Sequence, residues 1–281
     1  MKPGEAPDSR NVGCHAVDMR AFLGLEQGDD PTKARLAITE DVCTPMGTLY
    51  GGAGLAAGVL AMEEATARPV IWATAQFLAT GTPPAIADLE VVPAAEGAAV
   101  SQARVVGRVD GRELFVVTGA FGERPMEATG RWLPPPEVPP AADCPERIHW
   151  RPVLDGIARR FEVRLAEGRQ PHELDGTLGS GRTVLWARLP ELDRLDGAAL
   201  GLLADHVPFG IGQAFGRRAS GTSLDTTLRV VTPVPTDWVL LDVRIVAVAR
   251  GIAHGHMVMW AEDGTLLATA SQSAVVRFWQ E

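Results

Sequence analysis

LYGGAGLAAGVLAMEEA, residues 49–65, is apolar nearly all the way round a helical wheel. A helix with no polar face is one that expects to be buried on every side. Gly51, Gly52, Gly54 and Gly58 weaken it as an isolated helix by about 1 kcal/mol each. The same glycines let another backbone or a ligand approach closely. Four segments with strand character follow, at 71–79, 86–95, 100–109 and 113–121. Asp110-Gly111 joins the last two, and Asp-Gly between apolar runs is a strong hairpin signal. The stretch therefore predicts one buried helix followed by an antiparallel meander.

The second half repeats that order. A strand at 183–189 precedes an apolar segment at 198–215, and strands are expected at 223–231, 238–248, 253–261 and 266–276, with Asp263-Gly264 as a further hairpin turn. Phe77 and Leu228, Gly111 and Gly264, and Gly97 and Gly251 correspond at offsets of 151, 153 and 154 residues. A near-constant offset marks an internal duplication of one α+β unit. The simplest way to bury both parts of such a unit is to lay the helix on the concave face of the sheet. This is the layout of hot-dog folds, so the expected class is α+β, a double hot-dog of two tandem units. Eight of the 21 prolines fall between Gly122 and Pro152 and divide the chain near its middle. The expected domains are 1–122, a Pro-rich linker at 123–156 that runs outside both sheets, and 157–281.

A length of 281 residues agrees with two domains at about 150 residues each. The net charge of −9, with no block of five or more Lys/Arg, argues against nucleic acid or an anionic membrane as the main partner. A few local arginines can still hold a polyanionic small ligand. Cys14, Cys43 and Cys144 are odd in number and include no C-x-x-C, so neither a disulfide framework nor a zinc site is signalled. The N-terminus lacks the apolar core of a signal peptide, and no apolar run reaches membrane-spanning length. A cytoplasmic setting is the default expectation.

Several stretches, in order, resemble the acyl-CoA thioesterase II family. They are Tyr50-Gly-Gly52 and Phe77-Leu78 in the first half, then Arg160-Phe-Glu-Val-Arg164, Trp186-x-Arg188, Leu203-Ala-Asp205, Thr222-Ser-Leu-Asp225, Trp238-Val-Leu-Leu241, Asp263-Gly264 and Ala270-Ser-Gln272-x3-Val276-Arg277. The resemblance covers most of 20–122 and 157–278 and implies hydrolysis of fatty acyl-CoA to free fatty acid and CoA. It places the family's catalytic Asp, Thr and Gln on Asp205, Ser223 and Gln272, with serine where the family has threonine. Thr226 stands where the family has a histidine, and Ala53 where its first-half Gly-Gly-Gln has glutamine. No cofactor is implied. Gly51 and Gly52 at the helix start, with Trp72, Phe77 and Phe209, are the expected substrate-binding positions. Family resemblance and the edge strands left by each sheet both point to a homodimer or larger homo-oligomer.

The residues themselves suit this chemistry. Thioester hydrolysis needs an activated water, a donor for the carbonyl oxygen and an apolar slot. A carboxylate can hold or deprotonate water, and Asp205 lies in an apolar helical segment where an unpaired charge is costly. Ser223 and Gln272 are polar members of apolar strands, and backbone amides at a helix start supply oxyanion donors. A lone helical Asp is more often exposed or a cap, and a lone strand Ser or Gln is more often surface. Only the duplication and spacing lift these three above that background. Gly52-x-Gly54-x3-Gly58 is not set in a βαβ unit, and Gly176-x4-Gly181-Arg182-Thr183 has Arg for the required Lys, so neither is a nucleotide loop. His254-x-His256 lacks further placed ligands for a metal, and no G-x-S-x-G elbow occurs. Two other functions compete: a hot-dog hydratase or dehydratase, and a non-catalytic acyl-CoA binding protein. The first needs an Asp–His acid-base pair, whereas His206 directly follows Asp205, about 100° away on a helix.

Overall fold

The apolar helix forms as α2, Gly51–Thr66, in a computed structural model that describes residues 16–149 and 156–279. Gly52 through Met62 are all buried, as a helix without a polar face requires. Its glycines are contact points. A Cβ on Gly58 would stand 2.7 Å from Val117 Cγ2 and 3.1 Å from Val105 Cγ1, so the helix can lie directly on the sheet only because that carbon is missing.

Before α2 come a short helix α1 (Met19–Leu23) and strands β1 (Leu25–Gln27) and β2 (Lys33–Ile38). After it come β3 (Val70–Phe77), β4 (Ala85–Glu96), β5 (Val100–Val109) and β6 (Arg112–Gly122). The second half contains β7 (Glu162–Glu167), β8 (Arg182–Arg188), α3 (Gly197–Ala204), α4 (Phe209–Phe215), β9 (Ala219–Val230), β10 (Val239–Ala249), β11 (Ile252–Ala261) and β12 (Leu266–Phe278). The twelve strands of the described residues form one antiparallel sheet in the order β1-β2-β4-β5-β6-β3-β9-β12-β11-β10-β8-β7. This is the double hot-dog: two meanders fused edge to edge through β3 and β9, with the helices on one face.

The seam carries a pseudo-twofold. Thr74 and Thr227, 153 residues apart, pair with each other across it, and their hydroxyls are hydrogen-bonded at 3.0 Å. The offset seen in the sequence is thus a rotation axis between β3 and β9. Asp110 and Gly111 both have positive φ, the two-residue hairpin that Asp-Gly favours. At Asp263-Gly264 only the glycine does, and the loop is closed by Ala261 N donating to Thr265 O.

The second-half helix departs from expectation. The apolar segment 198–215 is not one long helix; it breaks after Ala204 and resumes at Phe209. Pro208 has no N–H to give and its ring would crowd the preceding turn, so a continuous helix cannot pass through it. Single-turn bonds bridge the gap, His206 N to Leu203 O and Phe209 N to His206 O. The break leaves Asp205 at the C-cap of α3 instead of inside a helix. α3 packs against α2, β9 and β12, while α4 packs on β8, β9 and β10.

Residues 123–149 run over the face of the sheet opposite the helices. Ala141 and Cys144 pack there on Val184, Trp186, Leu240 and Trp260, and Trp186 Nε1 donates to Pro139 O at 2.9 Å. The stretch then turns along the outer edge of β7, with Arg147 N to Val163 O and Leu165 N to Pro145 O, both 2.9 Å. Part of one sheet edge is therefore already covered by the chain itself. Cys43 and Cys144 are buried free thiols; Cys14 and linker residues 150–155 lie outside the described residues.

Candidate active site

Asp205, Ser223 and Gln272 meet. Ser223 Oγ donates to Asp205 Oδ1 at 2.8 Å, and Gln272 Nε2 donates to the same carboxylate oxygen and, at 2.7 Å, to Ser223 Oγ. Gly52 N, from the other half of the chain, donates to Asp205 Oδ2 at 2.9 Å. α2 has Tyr50 at its N-cap and no side-chain cap of its own. Asp205 supplies that cap from across the seam, accepting from the second helical residue as a local Ser or Asp would.

Each side chain reaches this point for a local reason. Asp205 is aimed by the helix break before Pro208. Gln272 faces inward by strand alternation with Ala270 and Ala274, which are buried. Ser223 needs a β-bulge. Gln272 pairs with Thr226 and Ser273 with Asp225, but Ala274 pairs with Ser223, so Leu224 is an extra residue. Regular alternation from the buried Thr226 and Leu228 would turn Leu224 inward and Ser223 out. The bulge exchanges them, leaving Leu224 exposed and the serine hydroxyl beside Gln272.

The two glycines are sterically required. A Cβ on Gly52 would overlap the Leu202 carbonyl oxygen, and one on Gly51 would stand 2.7 Å from Asp205 Oδ2 and 2.9 Å from Phe77 Cζ. Burial raises the Asp205 carboxyl to about 6; hydrogen bonds from Ser223, Gln272 and the backbone of Gly52 and Gly51 offset only part of that rise. The amide oxygen Oε1 of Gln272 is buried without a partner among the described residues.

Phe77 lies against Gly51 and so walls the carboxylate. Phe209 starts α4 and stacks under the Arg147 guanidinium at 3.9 Å. Trp72 is not brought to the site. Strand alternation puts this expected substrate-binding position on the face opposite the buried Ala73 and Ala75, away from the Asp205 cluster.

Four neighbours were not expected. Tyr50 Oη and His206 Nδ1 lie 3.3 Å apart, and His206 Nδ1 is also 3.0 Å from Leu203 O. Phe161 stacks edge-on against both rings. Arg147 lies close enough to act electrostatically on Tyr50 and His206. Burial, with a contribution from Arg147, pushes His206 down to about 4 and keeps it neutral. Its ring serves Tyr50 and Leu203 and makes no bond to the Asp205 carboxylate. The single tyrosine of the chain beside Gly-Gly, and the histidine beside Asp205, were visible as neighbours of chosen residues. Arg147 carried no sequence signal.

Residues 134–276 match the family model described as the acyl-CoA thioesterase C-terminal domain. A candidate thioesterase from Novosphingobium aromaticivorans DSM 12444 is 31% identical, with a TM-score of 0.78 over 89% of this chain and 97% of that one. A TesB protein from Mycobacterium avium subs paratuberculosis is 21% identical, with a TM-score of 0.74 over 92% and 98% of the two chains. An acyl-CoA thioesterase II from Mycobacterium marinum is 19% identical, with a TM-score of 0.72 over 93% and 98%. The last two likenesses are of fold. No curated protein matches. No helix among the described residues is long and apolar enough to cross a membrane.

Proposed function

The chain belongs to the acyl-CoA thioesterase family and is a thioester hydrolase, and on that premise we propose that it hydrolyses fatty acyl-CoA to free fatty acid and CoA at Asp205, Ser223 and Gln272. The catalytic residues then belong to the second unit, 157–281, and the first unit, 1–122, contributes the start of α2. Asp205 is the general base. It takes a proton from a water held between the carboxylate, Ser223 Oγ and Gln272, and the water oxygen bonds to the thioester carbonyl carbon. When the tetrahedral intermediate collapses, the C–S bond breaks and the proton on Asp205 passes to the leaving sulfur. The products are a carboxylic acid and a free thiol, and the base is regenerated.

The observation that carries this reading is a buried carboxylate gathered by donors from three other elements, one of them in the opposite half. Burial raises its proton affinity into the range where a base works near neutral pH. The unpartnered Gln272 Oε1 gives the water an acceptor. The positive end of α2 over the carboxylate favours negative charge at this spot, whether on Asp205 or on the developing oxyanion. The hydratase reading loses ground because His206 is turned to Tyr50 and Leu203, leaving Asp205 without an imidazole partner.

The test is free-thiol release from a panel of acyl-CoAs by the purified full chain, alongside Asp205→Asn. Turnover by the native chain and its loss in the variant support the site. Native turnover in the variant removes Asp205 from the mechanism, and binding without thiol release by the native chain favours the non-catalytic alternative.

A further inference from the structure

Gln272 Oε1 and Thr226 Oγ1 are both buried, and neither has a hydrogen-bond partner among the described residues. The two residues form a direct cross-strand pair, Gln272 on β12 opposite Thr226 on β9. Both side chains face the core. Thr226 is wholly buried and alternates inward with Leu228, as Gln272 does with Ala270 and Ala274. Opposite residues on one face hold their Cβ atoms about 4.5–5.5 Å apart. Their neighbours on this face are short: Ala75 pairs with Thr226 from β3, and Ala270 and Ala274 flank Gln272. Thr227 faces the other way and its hydroxyl bonds to Thr74, whereas the Thr226 hydroxyl is left over.

The donors gathered on Asp205 are already committed. Ser223 Oγ–H goes to Asp205 Oδ1, the two Nε2 hydrogens of Gln272 go to that same oxygen and to Ser223 Oγ, and Gly52 N–H goes to Asp205 Oδ2. These groups offer a water acceptors, in the carboxylate and in Gln272 Oε1, but no free donor. The Thr226 hydroxyl is an uncommitted donor directly across the strand pair from Gln272. A buried hydroxyl and a buried carbonyl oxygen side by side are costly unless a third polar group bonds to them. A buried water takes about two to four such partners.

We infer that Thr226 is a fourth catalytic residue, whose hydroxyl donates to the oxygen of the attacking water. The inference rests on the Asp205 reading of the reaction. The water gives one hydrogen to Gln272 Oε1 and the other, the one that is transferred, to Asp205. Its oxygen accepts from Thr226 Oγ–H with one lone pair and keeps the second for the thioester carbonyl carbon. Every tetrahedral direction of that oxygen is then assigned.

The experiment combines crystal structures of the native chain and Thr226→Val with kcat and KM for thiol release by the native chain, Thr226→Val and Thr226→Ser. The native crystal should hold a water within about 3.2 Å of both Gln272 Oε1 and Thr226 Oγ1. Valine keeps the shape of threonine without the hydroxyl. Thr226→Val should unfold close to the native temperature, lose that water, and lower kcat roughly tenfold to a hundredfold through a misplaced nucleophile, with KM unchanged. Thr226→Ser, which restores the O–H, should recover most of kcat. Native kcat in Thr226→Val, no recovery in Thr226→Ser, or a native crystal without the water overturns the inference. A fall in kcat with the water still in place in Thr226→Val overturns it in favour of a bond from Thr226 to the thioester carbonyl oxygen. Native turnover in Asp205→Asn would remove the base and leave the native crystal's water as it is, so failure of the two readings is separable.

Discussion

Asp205→Asn should separate activity from stability, and in opposite directions. Burial raises the Asp205 carboxyl to about 6 in the folded chain, against an ordinary value of 3.8. A raised folded value means that ionisation favours the unfolded state. The contribution is absent below about pH 4, grows as pH rises through 6, and levels off at about 3 kcal/mol, at 1.36 kcal/mol per unit. Asparagine does not ionise and escapes this cost. Its carbonyl can keep the bond from Gly52 N, and its NH₂ can face Gln272 if that amide turns its unpartnered Oε1 inward. The variant should therefore unfold several degrees above the native chain at pH 8, with about 2 kcal/mol of the difference gone by pH 4.5. Thiol release should meanwhile fall by about 10²–10⁴. Thermal unfolding at the two pH values, with the thiol assay at pH 8, measures both. An Asn variant that is less stable by the same amount at both pH values would refute the account of a strained, ionised base.

Other outcomes follow from the same geometry. The rate should rise with pH through an apparent value of about 6, because only the ionised carboxylate accepts a proton, and kcat against pH reads this directly. Ser223→Ala should lower kcat by roughly 10–100-fold, and the double variant with Gln272→Ala should lose less than the product of the single losses if both hold one water, as a mutant cycle would show. Gly52→Ala should impair folding and activity together, since its Cβ overlaps the Leu202 carbonyl and disturbs the amide that caps onto Asp205; circular dichroism and turnover check this. Light scattering at micromolar concentration should report a homo-oligomer, and a monomeric mass would count against it.

The duplication, the helix 49–65 and the meanders were legible because long periodic segments and Asp-Gly turns report on local physics. Four features of the site were not. Pro208 splits the second helix, and hydrophobic periodicity runs straight across that break. The bulge at Leu224 reverses the facing of Ser223, so alternation alone predicts an outward serine and only the family resemblance placed it correctly. Arg147 comes from a Pro-rich stretch without periodicity, and its position depends on pairing with β7, a long-range contact with no local signature. The union of Gly52 with Asp205 joins two halves 153 residues apart, which a repeat offset suggests but cannot orient.

A single turnover in water enriched in oxygen-18, with enzyme in excess over acyl-CoA, tests most directly whether Asp205 activates water. A general base predicts that the label enters the released carboxylic acid in the first turnover and that the peptide containing Asp205 stays unlabelled. Unlabelled acid together with label in the Asp205 carboxylate would show direct attack by the carboxylate on the thioester, and would contradict the account.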